Sequence, residues 1–146
     1  MSITIRKIDV LLGAYAESHR NHTNEVIHCI CVPAIVFALL GLLWALHPLV
    51  ATLAAIAALI YYGALSLPFA AGMVLMVALM LLVLDALPGR SVLPLSIVVF
   101  VAAWVGQFIG HHIEGKKPSF FDDLRFLLIG PLFVLSFLYK RWHLPY

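Results

Sequence analysis

Apolar and polar positions alternate along this chain on two scales. At the start the alternation is helical: Ile5, Ile8, Leu11, Leu12 and Tyr15 recur at three- and four-residue steps, with Arg6, Lys7, Asp9 and Glu17 between them. That pattern predicts an amphipathic helix over residues 3–19, the kind that lies in a membrane interface instead of crossing it. The polar stretch HRNHTNE then breaks the periodicity, and Asn24-Glu25 ahead of an apolar run reads as a helix start, with Asn24 as a cap.

Beyond it the alternation becomes coarse. Apolar runs cover residues 26–46, 49–65, 69–84 and 92–113, separated by His47-Pro48, by Ser66-Leu67-Pro68 and by the turn Asp85 to Arg90. Each approaches the roughly 17–25 residues that cross a hydrocarbon core, the third at the lower limit. A final run, residues 126–139, is interrupted by Gly130-Pro131 and is too short for a full span, so a re-entrant or interfacial helix is expected. The fold class that follows is all-α: a polytopic membrane bundle of four transmembrane helices, with an N-terminal amphipathic helix and a C-terminal re-entrant or interfacial one. No internal repeat is visible, and residues 1–146 read as a single integral membrane domain. The N-terminus is charged throughout and lacks a long apolar run, so no cleavable signal peptide is expected.

Composition agrees with lipid as the solvent. Of the 146 residues 64% are hydrophobic and 11% charged, with mean hydropathy +1.06, against about 45–50% and roughly 25% in soluble domains. So small a fold cannot hide that much apolar surface from water. The net charge of +2 gives no footprint for nucleic acid. Four crossings return the chain to its starting side, so Arg6, Lys7, Arg20, Lys116, Lys117 and Arg125 share one face while the other offers only Arg90. By the positive-inside rule the shared face is cytoplasmic, and the expected setting is a bacterial inner membrane. Cys29 and Cys31, two apart in a helix, point to different faces and read as small hydrophobes.

The unusual feature is histidine, seven in so apolar a chain. His47 and His143 sit at segment ends and suit ordinary interfacial positions. His19, His22 and His28 form one cluster, and His111 and His112 with Glu114 form another. The topology brings both to the same mouth of the bundle. His111 and Glu114 share a helix face, with Gln107 one turn earlier, while adjacent His111 and His112 project about 100° apart. Three imidazoles and a carboxylate there suit zinc or iron. Interfacial histidines and polar helix ends also occur without any metal, and Asn24 and Gly110 have plain readings as a cap and a close-packing residue. No GxGxxG, P-loop or GxSxG is present, and HHIEG misplaces the groups of a zinc-protease HExxH.

Three stretches carry a resemblance. Tyr15-Ala16-Glu17-Ser18-His19 with Asn24, His28 and Pro33, then Gln107 through Pro118, then Asp123 through Pro131, are similar in order to the motifs of the small membrane proteins related to the fungal 2-hydroxy fatty acid dioxygenase, the last to its bacterial branch. The resemblance implies an iron(II)-dependent membrane dioxygenase that α-oxidises 2-hydroxy fatty acids with O2 to acids one carbon shorter. Carried over by position, it makes His19, His28 and His111 the iron ligands, Glu114 a further ligand or a partner of one, and Tyr15, Asn24 and Gln107 groups that orient them. Lys116 and Lys117 would anchor the anionic head of the substrate, though lipid headgroups explain them equally well. Two other readings stand beside this one: a zinc-dependent membrane lipid hydrolase, and a non-enzymatic membrane scaffold or lipid-binding protein.

Overall fold

Lipid offers the backbone no water to bond, so a chain this apolar must satisfy its N–H and C=O groups internally, which helices do segment by segment. The computed structural model describes residues 6–17, 20–115 and 128–146. Their regular elements are all helices: α1 Lys7–Ala16, α2 His22–Leu46, α3 Pro48–Leu65, α4 Leu67–Ala86, α5 Gly89–Glu114 and α6 Ile129–Arg141. Helices α2 to α5 are long and apolar enough to cross a membrane, and they are the four spans the sequence predicts. Large apolar side chains such as Leu53, Ile60, Leu75, Leu79 and Val98 stand exposed on their outer faces, where in water they would be untenable and in a bilayer they meet acyl chains.

The turns are as short as turns can be. His47 and Ser66, each in extended backbone, are the single residues that separate α2 from α3 and α3 from α4. Each caps the helix that follows: His47 Nδ1 accepts from the Leu49 N–H at 3.0 Å, and Ser66 Oγ from the Phe69 N–H at 3.5 Å. Pro48 and Pro68 fall in the first turn, where a missing N–H costs nothing. His47 thus has a capping task beyond its interfacial position.

Helices α2 and α5 run antiparallel and form the most extensive pairing in the bundle. Small residues let their backbones approach. A Cβ on Gly41 would collide with Ser96 Oγ, one on Gly106 would lie 2.5 Å from Cys31 Sγ, and one on Gly110 would strike Asn24 Oδ1. Gly106 and Gly110, one turn apart on α5, make the small-xxx-small contact common between membrane helices. The register that results sets the start of α2 against the end of α5.

That end is covered by α1 and α6, which pack on each other. Tyr15 of α1 lies against Phe133 of α6, ring centroids 4.8 Å apart, and Ile8 is fully buried. Two tyrosine hydroxyls hold α6 to the spans: Tyr62 donates to the Leu128 carbonyl at 2.8 Å, and Tyr139 donates to the Pro68 carbonyl. With 13 residues α6 cannot cross a bilayer. It lies where α3 ends and α4 begins and packs on α1, which brings Lys140 and Arg141 to the side of Arg6, Lys7 and Arg20. Arg6 binds the Asp9 carboxylate at 2.9 and 3.0 Å and also the Tyr146 carbonyl, which joins the start of α1 to the chain end.

Candidate metal site

The helix start differs from the expected one. Asn21 is the cap, accepting from the Thr23 and Asn24 N–H groups, and α2 begins at His22. Asn24 is therefore inside the helix, fully buried, with its side chain turned to α5. There its Nδ2 donates to Glu114 Oε2 at 3.2 Å. The earlier start also moves His28 from the first turn to the second, one turn below Asn24 on the same stripe.

His28 is 1% exposed and His111 6%. Their rings meet edge to face with centroids 5.4 Å apart, one from each of two antiparallel helices. A His28 nitrogen, Nδ1, lies 3.0 Å from the Asn24 carbonyl oxygen. A carbonyl can only accept, so Nδ1 carries the proton and the lone pair of the neutral ring resides on Nε2. That is the arrangement by which proteins fix a histidine ligand's tautomer and direction. Tyr15 stands edge-on to His28 at 6.4 Å between centroids.

Glu114 closes the mouth. Its carboxylate accepts from the Arg20 N–H at 2.9 Å, the Asn21 N–H at 2.8 Å and Asn24 Nδ2. These bonds tie the segment between α1 and α2 to the end of α5. Helix α5 stops there with Gly115 at φ +76, a left-handed cap that suits glycine. Of the two roles the sequence leaves to Glu114, this bonding fits the partner that positions ligands.

Gln107 is buried at 6% exposure, one turn before His111, and its Oε1 finds no hydrogen-bond partner among the described residues. An unmet buried acceptor costs about 1–3 kcal/mol, a cost that a bound polar group would offset. His22 is largely exposed and 3.8 Å from Glu25, and His112 is exposed, so both turn from the buried pair, as the angle between His111 and His112 predicts. His19, Lys116 and Lys117 lie outside the described residues.

The donor set fits a metal such as iron(II) or zinc: two buried imidazoles from facing helices, one with its Nδ1 proton directed at a backbone carbonyl. Among the described residues no third His, Cys, Asp or Glu completes a metal-binding group, and His19 is one residue away from the Arg20 that Glu114 holds. Sequence inspection finds these side chains but misses their wiring. The Glu114 bonds join residues about ninety positions apart, which no local pattern signals; only Gly106 and Gly110 hint at where the two helices meet.

The fold and site together define a four-span helical membrane protein with a histidine pair buried at one mouth, beneath two short helices. Comparison with known proteins gives the family: residues 5–142 match the model described as "2-hydroxy-palmitic acid dioxygenase Mpo1-like", and the chain belongs to this Mpo1-like family. It is similar to the 2-hydroxy-palmitic acid dioxygenase MPO1 of Saccharomyces cerevisiae, 32% identical over 143 residues that cover 92% of this chain and 81% of the yeast one. No solved structure matches.

Proposed function

We propose that this chain is an iron(II)-dependent membrane dioxygenase that shortens 2-hydroxy fatty acids by one carbon. The observation that carries the reading is the buried His28–His111 pair with its fixed tautomer, in a chain related along nearly its whole length to a 2-hydroxy-palmitic acid dioxygenase. His19, His28 and His111 would hold the metal. Iron(II), when bound, supplies the one-electron chemistry that makes dioxygen reactive toward a closed-shell substrate. The chain's own groups supply the rest. The Asn24 carbonyl keeps the His28 proton on Nδ1. The Glu114 carboxylate docks the segment that carries His19. Gln107 Oε1 offers a buried acceptor to the 2-hydroxyl group, and Lys116 and Lys117 attract the carboxylate head. Burial places His28, His111 and Gln107 in a lower dielectric than water, which strengthens the polar contacts they make.

The reaction balances as R–CH(OH)–COOH + O2 → R–COOH + CO2 + H2O, with the carbon–carbon bond beside the carboxyl broken, four electrons passed to O2, and its two oxygen atoms divided between the carbon products and water. The cluster of Arg6, Lys7, Arg20, Lys140 and Arg141 at the same end favours a site facing the cytoplasm of a bacterial inner membrane. Purified protein in detergent or nanodiscs, supplied with iron(II), O2 and 2-hydroxypalmitate, should yield pentadecanoate. Folded, iron-loaded protein that leaves the acid intact overturns the substrate assignment; turnover without O2, or with zinc alone, replaces the dioxygenase with a hydrolase.

A further inference from the structure

Between α2, α3 and α4 lies a cavity of about 240 Å³, separate from the histidine mouth. Its walls are Val36, Leu39 and Leu43 of α2, Ala55 and Ala58 of α3, and Met73 of α4. The lining is apolar except for one group, the Tyr62 hydroxyl, and that is already spent on the Leu128 carbonyl. Nothing in it can orient a polar ligand. At the ~30 Å³ a water-sized group occupies, it holds on the order of eight methylenes, about half of a palmitoyl chain.

Its position is what gives it a use. On α2, His28, Val32, Val36 and Leu39 descend one side of the helix at three- and four-residue steps. Val36 lies about 12 Å and Leu43 about 22 Å below His28 along the axis. The upper end of the cavity is Tyr62 with Leu128. Two residues on, Gly130 lies so close to Val32 and to the Tyr15 hydroxyl that a Cβ there would stand 3.3 and 3.2 Å from them. Tyr15 in turn meets His28. The cavity thus begins one packing layer beneath the histidine pair and leads away from it into the bundle.

We propose that this cavity is the acyl slot of the enzyme, taking the distal half of the substrate chain, and that Ala55 and Ala58 set the chain length accepted. The proposal rests on the dioxygenase reading for its substrate but not for its geometry. A head held at His28 and His111 leaves an apolar tail that must go somewhere, and this cavity among the described residues is apolar and begins one layer beneath the mouth. The small side chains of Ala55 and Ala58 keep it open; larger ones would fill it.

Two measurements test it. In the first, rates on 2-hydroxy acids of ten to eighteen carbons are compared for wild type, Ala58→Phe, Leu43→Ala and a control, Leu75→Phe, whose site is exposed on α4. Ala58→Phe should lower kcat/KM for 2-hydroxypalmitate relative to the ten-carbon acid at least tenfold, Leu43→Ala should favour the longer acids, and Leu75→Phe should leave the profile unchanged. In the second, 2-hydroxypalmitate with a diazirine at its terminal carbon is photolysed in wild-type protein and the labelled peptides are mapped. Label on residues 36–43 and 54–62 supports the slot. Label on outward positions such as Leu75 and Leu79, where a bilayer chain would lie, overturns it, as does a chain-length profile that Ala58→Phe does not move. Label in the slot without turnover of any 2-hydroxy acid keeps the slot and overturns the dioxygenase reading instead.

Discussion

Replacing Glu114 by Gln separates two roles that metal content alone confuses. The carboxylate accepts from the Arg20 and Asn21 N–H groups and from Asn24 Nδ2. Gln offers one acceptor oxygen. With it in the Oε2 position, Asn21 and Asn24 keep a partner, but the Arg20 N–H faces an amide NH2, donor against donor. One bond to a charged acceptor is lost, about 1.5–3 kcal/mol, and the other two weaken by roughly half as they become neutral. The Arg20 and Asn21 amides are exposed enough for water to replace part of this, so the net cost of docking is about 2 kcal/mol, or about 30-fold in the docking equilibrium. Amide exchange at residues 20 and 21, followed by mass spectrometry in nanodiscs, should quicken by that factor while exchange within α3 and α4 stays as in wild type. Metal affinity and turnover should fall with it, because the segment carries His19. If Glu114 acts instead as a ligand, the variant loses metal while the amides of residues 20 and 21 stay protected. Unchanged exchange together with full activity refutes both roles.

Three further outcomes follow from the packing. Gly106→Ala places a methyl group 2.5 Å from Cys31 Sγ and should destabilise the bundle by about 1–3 kcal/mol. Cys31→Ala should relieve it, and a thermal-unfolding double-mutant cycle should show a coupling above about 0.5 kcal/mol; additive effects would mean that α2 and α5 do not meet at this register. Tyr62→Phe removes the bond to the Leu128 carbonyl and should cost about 1 kcal/mol, with faster exchange at the start of α6 as the local sign; unaltered exchange there contradicts the tether. A single cysteine introduced at the C-terminus should react with impermeant maleimide from the same side as one introduced at the N-terminus, since α6 does not cross. Labelling from opposite sides would put α6 through the bilayer.

The spans were legible because lipid imposes a length and an apolar content that the sequence must display openly. Proline at the starts of α3 and α4, and the single polar residues His47 and Ser66, mark the turns almost to the residue. The short last run with Gly130-Pro131 likewise reads correctly as a helix too short to be a full span, at 13 residues. Helix starts are harder: Asn21 and Asn24 are both good caps by composition, and what tells them apart lies far along the chain in Glu114, which takes the Asn24 side chain and the Arg20 and Asn21 amides. His28 and His111 could be placed at one mouth by counting crossings. Their edge-to-face contact could not, since it depends on how closely Gly106 and Gly110 let two helices approach. The tyrosine tethers from Tyr62 and Tyr139 left no sequence signal, because a buried tyrosine in a membrane helix reads as an aromatic belt residue until its partner carbonyl is known.

The central claim is that histidines at this mouth hold iron. Element-resolved metal content of purified wild-type protein, beside His19→Ala, His28→Ala, His111→Ala and the outward-facing His112→Ala, tests it most directly. Iron near one equivalent in wild type and His112→Ala, with a loss of at least tenfold in the other three while circular dichroism stays helical, is the expected result. Zinc in place of iron, or metal content that none of the substitutions changes, would contradict the account.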